Sequence, residues 1–325
     1  MYNLKKGKGN SQKRERSGEI MLKYILKRIV SILITLWIVC TLTFFMMKAI
    51  PGGPFTGEKN LPPTVLEALN EKYHLNDSIL KQYTDYMKGV FTFNIGPSFK
   101  KVGVNVEDLM MSGFPISAKL GGITILIILL IGVPTGIIAA LKRGRYPDYI
   151  VTILATVGIA VPTFVMGSVM LYVFGAKLGW IPTYGFGTWK HYIGPSIALA
   201  AFSMAFVMRL TRSSMIDVMS QDYIRTAKAK GLPQRTVIFK HAFKNAVIPV
   251  VTYVGPMTAG IMSGSFVIEK IFAIPGMGKF FVEAINNRDY TVIMGTTFFY
   301  AALAATMILV VDILYAVLDP RIKYK

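Results

Sequence analysis

Six stretches of this chain are apolar for long enough to cross a bilayer, and no other feature narrows the fold as much: Ile29 to Ile50, Ile116 to Leu141, Ile150 to Gly175, Ile193 to Thr211, Val247 to Ile268 and Thr291 to Leu318. About 30 Å of hydrocarbon at ~1.5 Å per residue takes about 20 residues of helix. Backbone in lipid must satisfy its own hydrogen bonds, so runs of this kind become helices. The expectation is an all-α, polytopic integral membrane protein with six transmembrane helices. Composition agrees: 53% of residues are hydrophobic and 16% charged, against roughly a quarter charged in a soluble domain.

The first run follows a basic stretch, as in a signal peptide. It is too long for the apolar core of one and has no small-x-small cleavage site before Pro51, so it reads as a retained anchor. Met21 and the residues after it read as a start in their own right, and 1–20 receives no function. The expected organisation is an N-terminal cytoplasmic extension 1–28, a first span 29–50, an extracytoplasmic loop domain 51–115, a core 116–318 with a cytoplasmic loop 209–246, and a cytoplasmic tail 319–325.

The formal charge of +19 fits this topology better than a nucleic-acid surface. With the N-terminus inside, the inner segments carry nine Lys/Arg before Ile29, three in Lys142 to Tyr149, eight in Arg209 to Lys244 and three after Leu318. The outer loops are nearly neutral, which is the positive-inside pattern. Both termini are therefore expected in the cytoplasm, with lipid as a partner and no nucleic acid. Cys40 is the only cysteine, so an intrachain disulfide and a cysteine-built metal site are excluded.

Within the spans, Gly132 with Gly136 and Gly260 with Gly264 form two Gly-x-x-x-Gly patterns suited to close helix packing. Pro134, Pro162 and Pro256 each remove a backbone donor, so kinks that line a path are expected there. Asp312 is the only acid well inside a span by this reading. It lies near Arg321 and suits an ion pair or a hydrated helix end better than a proton relay. Lys48 and Lys119 sit near the outer interface, where they can snorkel.

The loop between the fourth and fifth runs carries the most information. Asp222 suits an N-cap, Tyr223 to Lys230 suits a short helix, Gly231 can take the left-handed turn that ends it, and Pro233 blocks continuation. A second helix from Gln234 to about Lys244 follows. The block Gln221 to Pro233 resembles the coupling motif of permeases from binding-protein-dependent ATP-binding-cassette (ABC) importers. Ala227, Gly231 and Ile248-Pro249 stand in its roles, Arg225 replaces the usual glutamate, and Gly231 lies further than usual from Pro249. Both departures resemble the peptide-transporter branch. Ile50-Pro51-Gly52-Gly53-Pro54-Phe55, Phe114-Pro115, Ile274-Pro275-Gly276-Met277-Gly278, Asn287-Arg288-Asp289-Tyr290 and Asp319-Pro320-Arg321 extend the resemblance, from about Met21 onward, to the B-type permease of an oligopeptide importer. Dipeptide and nickel permeases are near relatives.

The resemblance implies a type I ABC importer permease fold in a bacterial or archaeal cytoplasmic membrane. It implies four partners: a second homologous permease, two cytoplasmic ATPase subunits and an extracytoplasmic binding protein. Coupling residues would be Asp222, Tyr223, Arg225, Thr226, Ala227, Lys228, Ala229, Lys230, Gly231 and Leu232. Pro275, Gly276 and Gly278, in the outer segment Glu269 to Tyr290, would touch the binding protein or an outer gate. No cofactor is expected on this chain, because it has no Gly-x-x-x-x-Gly-Lys-Ser/Thr loop; ATP and magnesium would sit on partner subunits. With only His74, His191 and His241 and no zinc motif, catalytic chemistry is not expected. A stand-alone secondary carrier would need repeats or several buried charges that the sequence does not display.

Overall fold

A computed structural model describes residues 2–55, 62–262 and 264–318, and the segments it describes are almost wholly helical. The expectations placed on the 319–325 tail, with Asp319, Pro320 and Arg321, lie outside these residues. Helix α1 (Tyr2–Ala49) contains the first span. The expected loop domain holds α2 (Pro63–Lys72) and α3 (Ile79–Thr92). His74 adopts a left-handed φ of 54° in the turn between them.

The second span, α4 (Val106–Leu141), starts ten residues before the apolar run and widens to π-helical turns at Ile128–Gly132. That widening directly precedes Pro134, which cannot donate to the ladder. The third run is two helices, α5 (Tyr146–Ala160) and α6 (Thr163–Lys177), bent by 105° at Val161 and Pro162. Among the described residues, five helices are long and apolar enough to cross a membrane, and six if the bent pair is one span.

Helix α7 (Lys190–Met219) packs against α4, α5 and α10 (Ile248–Met262). Small residues permit the close approach, as expected between helices in lipid. A methyl on Gly136 would stand 2.6 Å from Thr211 Cβ, and one on Gly158 would stand 2.9 Å from the Ala201 carbonyl oxygen. The Gly132/Gly136 pattern therefore packs α4 on α7. The second pattern does not pack in this way. A methyl at Gly260 would meet nothing within 4 Å, and Gly264 lies past the end of α10 with φ +91°, where it serves a turn.

After α7 come α8 (Asp222–Ala229), a helical segment α9 over 234–246, and α10. The chain closes with α11 (Phe266–Ile271), α12 (Met277–Asn287) and the last span α13 (Tyr290–Leu318). Asp312 on α13 lies 2.6 Å from Arg28 Nε on α1. The expected ion pair thus exists with Arg28 as partner, and it sets the two helices at one level.

The two ends of the bundle differ. At the end that carries α2 and α3, called the lid end for its place over the bundle, α3, the close of α1, the start of α4, α12 and the start of α13 share one apolar core around Phe44, Val106, Met277 and Val292. Asp289, 3% exposed, joins this lid to α13: it accepts from Phe99 N at 3.1 Å and from Thr291 Oγ1 at 3.0 Å. The loop end carries α8 and α9.

Candidate coupling elbow and its buried counterpart

Helix α8 is eight residues long, too short to be stable alone, so its stability must come from packing. It buries one narrow face. Ile224 is fully buried and Ala227 is 6% exposed, against Met215 of α7 and Val237, Ile238, Ala242 and Ala246 of α9. Tyr223 Oη accepts from Asn245 Nδ2 at 2.7 Å, a second tie to α9.

Gln221, not Asp222, is the N-cap, and it makes no side-chain capping bond; Asp222 is the first helical residue. A carboxylate there still favours the positive end of the helix dipole. Gly231 takes φ +72°, and its N–H donates to the Lys228 carbonyl at 2.9 Å, the expected left-handed stop. Pro249 falls in the first turn of α10, where its missing donor costs nothing.

Of the ten residues proposed for coupling, nine are exposed: Asp222, Tyr223, Arg225, Thr226, Lys228, Ala229, Lys230, Gly231 and Leu232. Ala227 faces inward. The outer face thus carries Arg225, Lys228 and Lys230 against Asp222. Arg225 and Asp222 approach to 3.6 Å but are 75% and 98% exposed, so that pair adds little rigidity. Phe239, 63% exposed, extends the face onto α9.

The elbow's base is fixed by a pair that sequence reading did not single out. Asp148, 4% exposed in the first turn of α5, accepts from Arg212 Nη2 at 2.9 Å and from Gly144 N at 2.9 Å. Arg212 stands on α7 two turns before that helix ends at Met219. The bidentate pair holds the 142–145 turn against the helix that carries the elbow.

At the lid end, the segment around Pro275, Gly276 and Gly278 forms a second elbow. Its centre is Glu269, fully buried on α11. Asp312 is therefore not the only acid inside the bundle. Glu269 accepts from Ser117 Oγ of α4 at 2.6 Å and from Gly278 N at 2.9 Å, while Ser117 Oγ accepts from Met277 N at 2.9 Å. A carboxylate and a hydroxyl thus serve the N–H groups at the start of α12. A methyl at Gly276 would stand 2.4 Å from Ser117 Oγ and 2.5 Å from the Glu269 carboxyl carbon. Both glycines are buried and Pro275 is half-buried, so partner contact in this stretch would fall to exposed neighbours such as Lys270 and Lys279.

The three span prolines share exposure on the isolated chain. Pro162 stands at the 105° break and Pro134 follows the π-helical turns, whereas Pro256 sits within α10, whose helix is uninterrupted. No group of three or more His, Cys, Asp and Glu suited to a metal occurs among the described residues.

Two family models cover most of the chain. Residues 132–324 match the binding-protein-dependent transport system inner membrane component, and residues 21–121 match the N-terminal component of the same transport systems. The dipeptide transport system permease protein DppB of Bacillus subtilis is 47% identical over 306 residues, covering 93% of this chain and 98% of its own. The oligopeptide transport system permease protein OppB of Salmonella typhimurium is 46% identical over 306 residues, covering 94% and 100%. Among solved structures, an inward-facing conformation of the MetNI methionine ABC transporter superposes with a TM-score of 0.53 at 12% identity, over 65% of this chain and 96% of that one. At that identity the likeness concerns the fold, and it agrees with a type I importer permease.

Proposed function

Because this chain belongs to the binding-protein-dependent transport system inner membrane component family, we propose that it is the transmembrane permease of a peptide-importing ABC transporter, moved by ATPase subunits that bind the α8 elbow. The observation that carries the reading is the elbow's construction. A helix too short to stand alone is anchored by Ile224 and Ala227 and presents a polar, largely cationic face outward. An acidic groove on an ATPase would complement that face.

In this reading α8 faces the cytoplasm and α2, α3 and α12 face outward, with both termini inside. Two ATPases hold ATP and magnesium, a second homologous permease completes the pore, and a binding protein delivers cargo to the lid end. ATP-driven closure of the ATPases displaces α8, and α7 carries the displacement to α10 and to α4 and α5, the last two through close contacts at Gly136 and Gly158. Such coupling requires contacts that differ between the two end states. The chain itself supplies a path and a handle, and the motor lies elsewhere.

Reconstituted with its ATPases, second permease and binding protein, the complex should take up peptide in an ATP-dependent manner, and this chain alone should take up none. Uptake by the chain alone on a proton or sodium gradient would reject the reading. The relatives named for dipeptide and for oligopeptide transport are almost equally similar, at 47% and 46%. A ladder of labelled peptides from two residues upward therefore settles the length class in the same assay.

A further inference from the structure

We infer that Arg209, on the wall of a cavity of about 650 Å³ between α5 and α7, binds the C-terminal carboxylate of the peptide in transit, an inference that rests on the importer reading above. Ligand sites commonly occupy roughly 300–1,000 Å³, and clefts between the helices of a bundle are a frequent place for them. Phe202, Phe206 and Arg209 follow one another at helical spacing, so α7 turns a single exposed face to the cavity. Thr152 and Ile159 of α5 stand on its wall as well.

The first observation is charge. None of the described lining residues is acidic. Arg212 also lines the cavity, but its guanidinium is already held by Asp148. Arg209, one turn earlier on α7, is exposed and takes part in no hydrogen bond or ion pair among the described residues. An ionised side chain at a membrane span ordinarily has a partner or faces a cavity. A planar guanidinium can donate two parallel N–H bonds to a carboxylate, which a point charge cannot do.

The second is the surface beside that charge. Cα–Cβ bonds lean toward the N-terminus of a helix, so the Arg209 stem sets out over the turn that holds Phe206, away from α8. Phe206 stacks on Tyr253 of α10 with ring centroids 4.3 Å apart, and Phe202, one turn further along, is 45% exposed. One cation beside a broad aromatic wall suits ligands that share a carboxylate and differ in their side chains. Peptides with a free C-terminus have that form.

The third separates peptide from lipid. The cavity reaches Ile159, close to Val161, where α5 gives way to extended backbone ahead of the exposed Pro162. Non-helical backbone at membrane depth is tolerated against protein or water and not against acyl chains. That end of the cavity therefore belongs to the interior of an assembled pore, and a single cation in an open cleft holds an anion weakly enough to let it pass.

The test is calorimetric titration of the permease pair with its ATPases in phosphatidylcholine nanodiscs, the binding protein omitted so that its own selectivity does not enter. The probes are trialanine and trialanine amide. Trialanine should bind about tenfold more tightly than its amide, equivalent to ~1.4 kcal/mol. Arg209→Gln should abolish that preference, Phe206→Ala should weaken both probes alike, and the control Lys190→Gln, outside the cavity, should change neither. No measurable binding of trialanine, equal binding of the two probes by the wild type, or an unchanged preference in Arg209→Gln overturns the proposal. So does loss of retained phosphatidylglycerol in Arg209→Gln with the preference intact, which assigns the guanidinium to lipid. If Arg209→Gln fails to assemble, Arg209→Lys decides: its preference should fall because lysine lacks the paired donors, and restored assembly with an unchanged preference assigns Arg209 to an acid of the second permease. ATP-dependent uptake by the complete wild-type complex is measured in parallel. Its absence rejects the importer reading, whereas its presence with an unchanged preference in the variant rejects this subsite alone.

Discussion

The two elbows of this chain are both helix, turn and helix, and both depend on glycine, yet they are built inside out from one another. At the loop end the apolar side chains Ile224 and Ala227 are buried and the charges stand outside. At the lid end the charge itself, Glu269, is buried and closes on backbone N–H groups. An element held by greasy contacts and faced with cations can be gripped by another molecule. An element whose carboxylate already has every partner it needs is a fixed joint. Under the proposed function, the contrast separates where force would enter from what it would act against.

Glu269→Ala tests the contrast most severely. It removes the acceptor for Ser117 and Gly278 and leaves a buried donor at the start of α12, for a loss of about 3 kcal/mol or more. The thermal unfolding midpoint of the purified complex should fall steeply, and an unchanged midpoint would dissolve the distinction between joint and handle. Ile224→Ala comes next. It takes away the α8 anchor at about 2–4 kcal/mol, felt locally, so transport and stimulated ATP hydrolysis should drop while assembly of the spans persists.

Gly231→Val is milder. A β-branched residue forced into φ +72° costs roughly 1–2 kcal/mol, and a methyl there meets no neighbour within 4 Å, so strain and not collision is the cause. Peptide uptake should uncouple from ATP hydrolysis with membrane insertion intact, and normal uptake would remove the elbow from the mechanism. Smallest of all, Arg225→Ala should leave the unfolding midpoint unmoved, since its pair with Asp222 is exposed. An effect on ATPase association without an effect on stability would sharpen the picture of a face made for contact.

Much of this was legible in the sequence because its causes are local. Apolar run length located the membrane-crossing segments, and Gly231 with Pro233 located the end of α8 from backbone preference alone. Glu269 was not legible. Beside Lys270 it reads as part of a polar outer loop, and what buries it is Ser117, 152 positions away. The Asp148–Arg212 pair hides for the same reason, with partners 64 positions apart. Hydropathy also missed the opening of α4. Val106 to Pro115 holds Glu107, Asp108 and Gly113, which lower its apolar score, yet Val106 is wholly buried under the lid. Pro162 promised a bend, but its 105° depends on what α5 and α6 pack against, and no single residue encodes that.

Helix α7 has 30 residues, so at ~1.5 Å each it is a rod of about 45 Å, whereas the hydrocarbon layer is about 30 Å thick. Roughly a third of its length must project beyond the lipid. A sideways push at the projecting end therefore acts with a stroke of the same order as the span it tilts. Little gearing is available, so under the proposed function the closure of an ATPase would have to match in size the opening it produces.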